Sequence, residues 1–177
     1  MTSSAQLNDP SLDRSPLGAD AFKGVFRNHP AGVVVITTTV DGQPVGFTAT
    51  SLISVSADPP LLAFSVDSAS SAWRLLSVAP TLVVNFLTAD QVEVSARFAT
   101  SGIDRFATTD WWSLPTGEPV LAGSAAWIRG EIVQRTPVGR SVLVSVLAVE
   151  SDVARADSTP LVYHDRRYHG IGDHSVL

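Results

Sequence analysis

Gly46-Phe47-Thr48-Ala49-Thr50-Ser51-Leu52-Ile53-Ser54-Val55-Ser56-Ala57-Asp58-Pro59-Pro60 is the stretch on which the reading of this chain turns. Five hydroxyl side chains (Thr48, Thr50, Ser51, Ser54 and Ser56) fall within nine residues, and a Pro-Pro pair ends the run. Hydroxyls and free backbone N–H groups without carboxylates suit a phosphate or another multi-acceptor anion, because each supplies a donor at little steric cost. A strand and loop rich in Thr and Ser accounts for the same letters, since Thr favours strands and Ser favours turns. Two details favour a ligand. Ala49, between Thr48 and Thr50, leaves room for close backbone approach, and Pro59-Pro60 fixes the exit of the loop.

Outward from this segment the chain reads as strands with a few short helices. Val33 to Thr39 is β-branched, Asp41-Gly42 is a hairpin turn, and residues 44–48 form the return strand. Residues 61–66 make a buried strand, and Ser70 or Ser71 caps a short helix ending at Leu76. Residues 81–87 form another strand. Thr88-Ala89-Asp90-Gln91 has the spacing of a capping box and opens a helix through about Phe98. Residues 101–123 are turn-rich and read as a long loop carrying Asp104-Arg105-Phe106 and Trp111-Trp112. Residues 125–135 and 141–150 are long strands joined at Pro137-Val138-Gly139, and 161–163 with Tyr168 close the domain. Upstream, Leu17, Ala21 and Val25 lie four apart with Phe22 and Phe26 beside them, which predicts an amphipathic helix over 17–27 stopped by Pro30 and Gly32. Residues 1–16 read as a disordered leader and 171–177 as a tail, leaving a single domain over 17–170. With no βαβ alternation, the pattern argues for an antiparallel barrel or sandwich.

Bulk properties narrow the function. At 177 residues the chain suits one domain burying roughly two-thirds of its unfolded surface. Hydrophobic residues make up 45% and charged residues 16%, which fits a filled core with further surface buried against a second subunit. A formal charge of −5 argues against non-specific nucleic-acid binding, so an anionic ligand would need local positive charge. The absence of cysteine excludes disulfides, thiol nucleophiles and thiolate metal sites. No run approaches the roughly 18 apolar residues of a membrane span, and the first fifteen residues lack an apolar signal core. A cytoplasmic protein is the expectation. His164, His169 and His174 stand five apart, a spacing that neither a strand nor a helix gathers on one face, so no metal is expected. Signatures of the hydrolase elbow, the phosphate loop and the dinucleotide-binding glycines are absent.

Three segments together carry a resemblance: the Thr48-Ala49-Thr50-Ser51 run, Arg97-Phe98-Ala99 after a helix, and Phe26-Arg27-Asn28-His29-Pro30-Ala31-Gly32-Val33. Over residues 22–170 the sequence resembles the short-chain flavin reductases, the small partners of two-component flavin monooxygenases. The resemblance implies a mainly β, antiparallel Greek-key FMN-binding split barrel with a few short peripheral helices. It also implies a homodimer with flavin near the subunit interface. It assigns Thr48, Ala49, Thr50 and Ser51 to the flavin phosphate and ribityl chain, and Ser54, Val55 and Ser56 to the isoalloxazine ring. It lines the cofactor again with Asp67, Ser70 and Ser71, directs Arg97 beside Phe98 to the phosphate, and sets Tyr168 near the flavin. Asn85 offers an amide to the flavin, or satisfies a strand end. His29 and Pro30 border the nicotinamide. Without the resemblance, Arg97 reads equally well as an exposed helical arginine favoured by the helix dipole.

One departure stands out. Relatives carry Gly-Asp-His between two late strands, where this chain has Gly139-Arg140-Ser141. Gly139 preserves the turn, while a positive charge replaces a negative one. Three outcomes stay open: weaker nicotinamide binding, pairing of Arg140 with the 2′-phosphate of NADPH, or a solvated turn. The function implied is NAD(P)H-dependent reduction of FMN or FAD, with hydride passing from nicotinamide C4 to flavin N5 and reduced flavin leaving for a separate monooxygenase. Such chemistry needs positioning more than acid–base groups. Donors near flavin N1 are expected from backbone N–H groups of the 54–58 loop. The alternative is a flavin carrier or store with no reductase activity of its own.

Overall fold

The computed structural model describes residues 15–177, so of the expected leader only Ser15 and Pro16 fall within it. Helix α1 (Ala19–Arg27) is followed by strands β1 (Ala31–Gly32), β2 (Val34–Val40) and β3 (Gln43–Ala49). Then come β4 (Ile53–Ala57), β5 (Pro60–Asp67), helix α2 (Ser71–Leu76) and β6 (Thr81–Phe86). A 3-10 turn (Ala89–Gln91) leads into α3 (Val92–Ala99), then β7 (Trp111–Ser113), β8 (Pro119–Leu121), β9 (Ala126–Val138) and β10 (Ser141–Asp152). The hairpin β11 (Leu161–His164) and β12 (Arg167–Gly170) ends the fold, with a 3-10 turn (Asp173–Ser175) beyond it.

Seven strands form one antiparallel sheet in the order β3-β2-β6-β9-β10-β5-β4. The two sides of this sheet nevertheless meet. Phe47 of β3 and Phe64 of β5 lie five positions apart in that order, yet their rings are 6.2 Å apart. The sheet has therefore curled around a shared core of Val34, Ile36, Leu62, Phe64, Leu82, Val84 and Val144, with Leu76 of α2 closing one end. It is a barrel with an open seam between β3 and β5.

Alternation of side chains explains why β2 and β6 look apolar throughout. Val34 and Ile36 point into the barrel, while Val33 and Val35 join a second core with Leu87, Phe98, Phe106, Leu121 and Leu161. Burial on both faces produces a continuous β-branched run rather than a period-two pattern. On the outer face a third cluster seats Val83 and Trp127 against Leu114 and Val120.

Several expectations shift. Residues 54–58 are not a loop: 53–57 form β4, the edge strand beside β5, with a bulge between Ser54 and Ser56. The 101–123 loop contains the hairpin β7–β8, pinned by Trp111↔Leu121 and Trp112↔Val120 pairing. Pro137 and Val138 remain paired in β9, so the turn is Gly139-Arg140, with Gly139 at φ +59°. The capping box at Thr88 is present, but it opens a 3-10 turn before α3 begins at Val92. The β11–β12 hairpin, rather than a single strand or helix, brings His164 and His169 together with ring centroids 5.7 Å apart. Among the described residues, no helix is long and apolar enough to cross a membrane.

Candidate active site

The barrel seam opens into a cleft of about 710 Å³. Phe47, Thr48 and Ala49 of β3 wall one side, and Ser65, Val66 and Asp67 of β5 the other. Thr50 and Ser51 cross between them, the α2 N-terminus (Ser70, Ser71, Ala72) closes one end, and Phe98, Ala99, Ser101 and Arg105 close another. The hydroxyl segment thus turns out to be the lip of the seam.

Its hydroxyls are not equivalent. Ser51 Oγ donates to the Ser65 carbonyl and accepts from Ser65 N–H, both at 3.0 Å, and so clips the seam shut below the cleft. Thr48 Oγ1 donates to the Ser95 carbonyl at 2.7 Å, tying β3 to α3. Ser70 Oγ donates to the Asp67 carbonyl and accepts from Trp73 N–H as the cap of α2. Asp67 itself accepts from Ala69 N–H at 2.8 Å. Of the cleft hydroxyls expected from the sequence, Thr50, on the exposed lip, and Ser71 are thereby left free to meet a ligand.

Positive charge comes from a residue that the sequence pattern did not single out. Arg105, in the loop after α3, lines the cleft, while Arg97, in the last turn of that helix, is not among its walls. Nε of Arg105 donates to the Thr100 carbonyl at 2.8 Å and Nη1 to the Gly46 carbonyl at 2.5 Å. Burial lowers the guanidinium's pKa from its ordinary value, and it remains charged. Gly46 is required for this arrangement. A Cβ there would stand 2.9 Å from both the Ile36 carbonyl oxygen and the Phe98 ring. The signal for Arg105 lay in Asp104-Arg105-Phe106, but a lone arginine in a turn-rich segment carries no periodicity to place it.

The Gly139-Arg140-Ser141 turn lies at the cleft rim. Ser141 pairs with Asp67 across β10 and β5, and the Arg140 carbonyl accepts from both N–H and Oγ of Ser68, at 3.0 and 2.9 Å. The Arg140 side chain is exposed and forms no ion pair among the described residues.

Other expected residues lie elsewhere. Asn85 is fully buried: its amide nitrogen donates to the Val35 carbonyl and Thr37 Oγ1, and its oxygen accepts from Leu121 N–H. Those bonds join β6 to β2 and β8, so Asn85 satisfies the fold and has no group left for a flavin. Tyr168 shares a 3.0 Å hydrogen bond with Ser95 Oγ and packs on Tyr163. Ser54 and Ser56 line a separate apolar hollow of about 560 Å³ with Leu61, Leu62, Phe86 and Ile128, and Val55 on the same strand is exposed. His29 lies in a small hollow between the end of α1 and the β11–β12 turn, and Pro30, beside it, is exposed.

The family model described as "Flavin reductase like domain" matches residues 26–172. The chain belongs to that family. A seam cleft carrying free hydroxyls, backbone donors and a half-buried arginine is what a flavin phosphate requires. Among its relatives in the flavin reductase like family, the NADH:FMN oxidoreductase of Rhodococcus qingshengii is 41% identical over 164 residues, 90% of this chain and 85% of that protein. The reductase subunit of a flavin-dependent monooxygenase from Mycobacterium tuberculosis is 33% identical over 85% of this chain and 81% of its own length. The crystal structure of a flavin reductase domain protein from an Arthrobacter species superposes with a TM-score of 0.83 at 36% identity. It covers 90% of this chain and 100% of that one.

Proposed function

We propose that this protein reduces FMN or FAD at the expense of NADH or NADPH and releases the reduced flavin to a separate monooxygenase. The observation that carries the reading is the seam cleft, in which Arg105, Thr50 and Ser71 face a common volume without an opposing pair of carboxylates. Bound flavin supplies the hydride acceptor, N5, for the hydride of nicotinamide C4. The chain's own work is positional. Arg105 and the lip hydroxyls hold phosphate, β3 and β5 give the ring a wall on either side, and the Gly139-Arg140-Ser141 turn sets the rim at which a nicotinamide nucleotide arrives. Arg140, an unpaired cation there, supports acceptance of a 2′-phosphate and hence of NADPH. Ser141 in place of histidine removes an imidazole from the rim and supports slow turnover.

We propose also that the 17–170 domain works as a homodimer. Helix α1 buries none of its residues, and Leu17, Val25 and Phe26 are 64%, 67% and 56% exposed. On β4, Ile53 and Val55 are exposed beside the apolar hollow. Burial of such surface drives association. In a dimer built on these faces, Ser54, Val55 and Ser56 would border the partner's cleft. A cytoplasmic location follows the same reading, because the nicotinamide donor is a cytoplasmic metabolite. Steady-state oxidation of NADH and NADPH, with and without added FMN or FAD, tests the function. Flavin-dependent oxidation supports it, and oxidation unaffected by flavin contradicts it.

A further inference from the structure

The seam cleft does not stop at Arg105. A second hollow of about 230 Å³ adjoins it and shares two of its walls, Ser71 and Arg105. Its sides are largely apolar, from Pro44 and Val45 of β3, Leu75 of α2, and Ile103 and Phe106 in the loop after α3, and Asp104 supplies the one carboxylate. Arg105 thus stands at a neck between a large cavity and a smaller one.

The arginine is held there. Nε and Nη1 are committed to the Thr100 and Gly46 carbonyls, while Nη2 has no hydrogen-bond partner among the described residues. Its free N–H groups are therefore available at the junction, where a diphosphate crossing from one cavity to the other would pass. The second hollow is unsuited to a terminal phosphate. Asp104 accepts from Phe106 N–H through Oδ1 at 2.9 Å and keeps Oδ2 uncommitted. A free carboxylate oxygen repels an anion but accepts from a ribose hydroxyl or an exocyclic amine. Apolar walls favour a flat apolar base between them.

We propose that the second hollow takes the adenosine half of a flavin dinucleotide, with the diphosphate at Arg105, so that this chain prefers FAD to FMN. The inference rests on the flavin reading above and gives it a dinucleotide specificity. Calorimetric titration of the flavin-free protein with FMN, FAD and ADP tests it, alongside Ile103→Glu. That side chain is 47% exposed, so the substitution spares the core, and a thermal unfolding scan checks that the variant is folded. The expected result is FAD binding at least about tenfold tighter than FMN, displacement of FAD by ADP, and collapse of the FAD advantage in Ile103→Glu while FMN affinity stays within about twofold. Equal affinity for FMN and FAD, failure of ADP to compete, or an FAD advantage that survives Ile103→Glu would each overturn the proposal. Binding of neither flavin would instead overturn the flavin reading beneath it.

Discussion

Arg105 and Arg97 separate what a pattern of residues suggests from what a cavity receives. Arg97 sits in the last turn of α3 and Arg105 in the loop beyond it, yet only Arg105 lines the seam cleft and is held there by two backbone carbonyls. Arg105→Ala should weaken flavin binding by about ten- to hundredfold, the cost of losing a charge-assisted contact. Arg97→Ala should leave the dissociation constant within about twofold, and flavin fluorescence titration reads both. The hydroxyls divide in a similar way. Thr50→Val removes a free donor and should weaken binding by up to about tenfold without lowering stability. Ser51→Ala breaks the clip to Ser65 and should cost roughly 1 kcal/mol of unfolding free energy in urea, with a smaller effect on binding. The sequence marks this segment as a donor-rich site, since spacing and composition are local properties. Beyond the local cap at Ser70, it does not say which hydroxyls the fold consumes, because Ser65 and Ser95, the partners of Ser51 and Thr48, are not sequence neighbours.

At the scale of elements, helices and hairpins with their own turn or cap chemistry were legible: Asp41-Gly42, the Ser70 cap and the Thr88 box all sit where local rules place them. Elements defined by distant partners were not. β4 is a strand because β5 pairs with it, and β7–β8 exists because it covers Val83 and Trp127. Glu118, at the start of that cover, binds Arg129 of β9 at 3.0 Å, and both side chains are largely buried. Burial alone would raise the Glu118 pKa. Hydrogen bonds from Thr116 and Thr81, its own backbone and the Arg129 charge outweigh it, so the carboxyl lies below its ordinary 4.5. The folded-state pKa being the lower one, the stabilisation is fully present above pH 4.5 and drains away as pH falls through the folded value. Glu118→Ala leaves Arg129 unpaired and should cost about 3–5 kcal/mol in denaturant unfolding at pH 7. The difference between variant and wild type should shrink in acid below that carboxylate range.

For the molecule as a whole, the antiparallel β class followed from strand runs without βαβ alternation, whereas the seam did not. Closure rests on Phe47 meeting Phe64 across the curled sheet, a contact that no local period encodes. The same curvature leaves α1 and β4 with apolar faces turned outward. Sedimentation velocity at micromolar concentration should give a dimer, and Phe22→Glu combined with Phe26→Glu should shift it toward monomer. A wild-type monomer that still binds one flavin per chain would remove the dimer from the account. The seam cleft should let nicotinamide reduce flavin directly. Anaerobic stopped-flow mixing of the flavin-loaded protein with NADH or NADPH tests it most closely. Flavin's visible absorbance should be lost in proportion to added nicotinamide, and more slowly in Arg105→Ala because less flavin is bound. Flavin that binds in the cleft yet stays oxidised with both NADH and NADPH would contradict it.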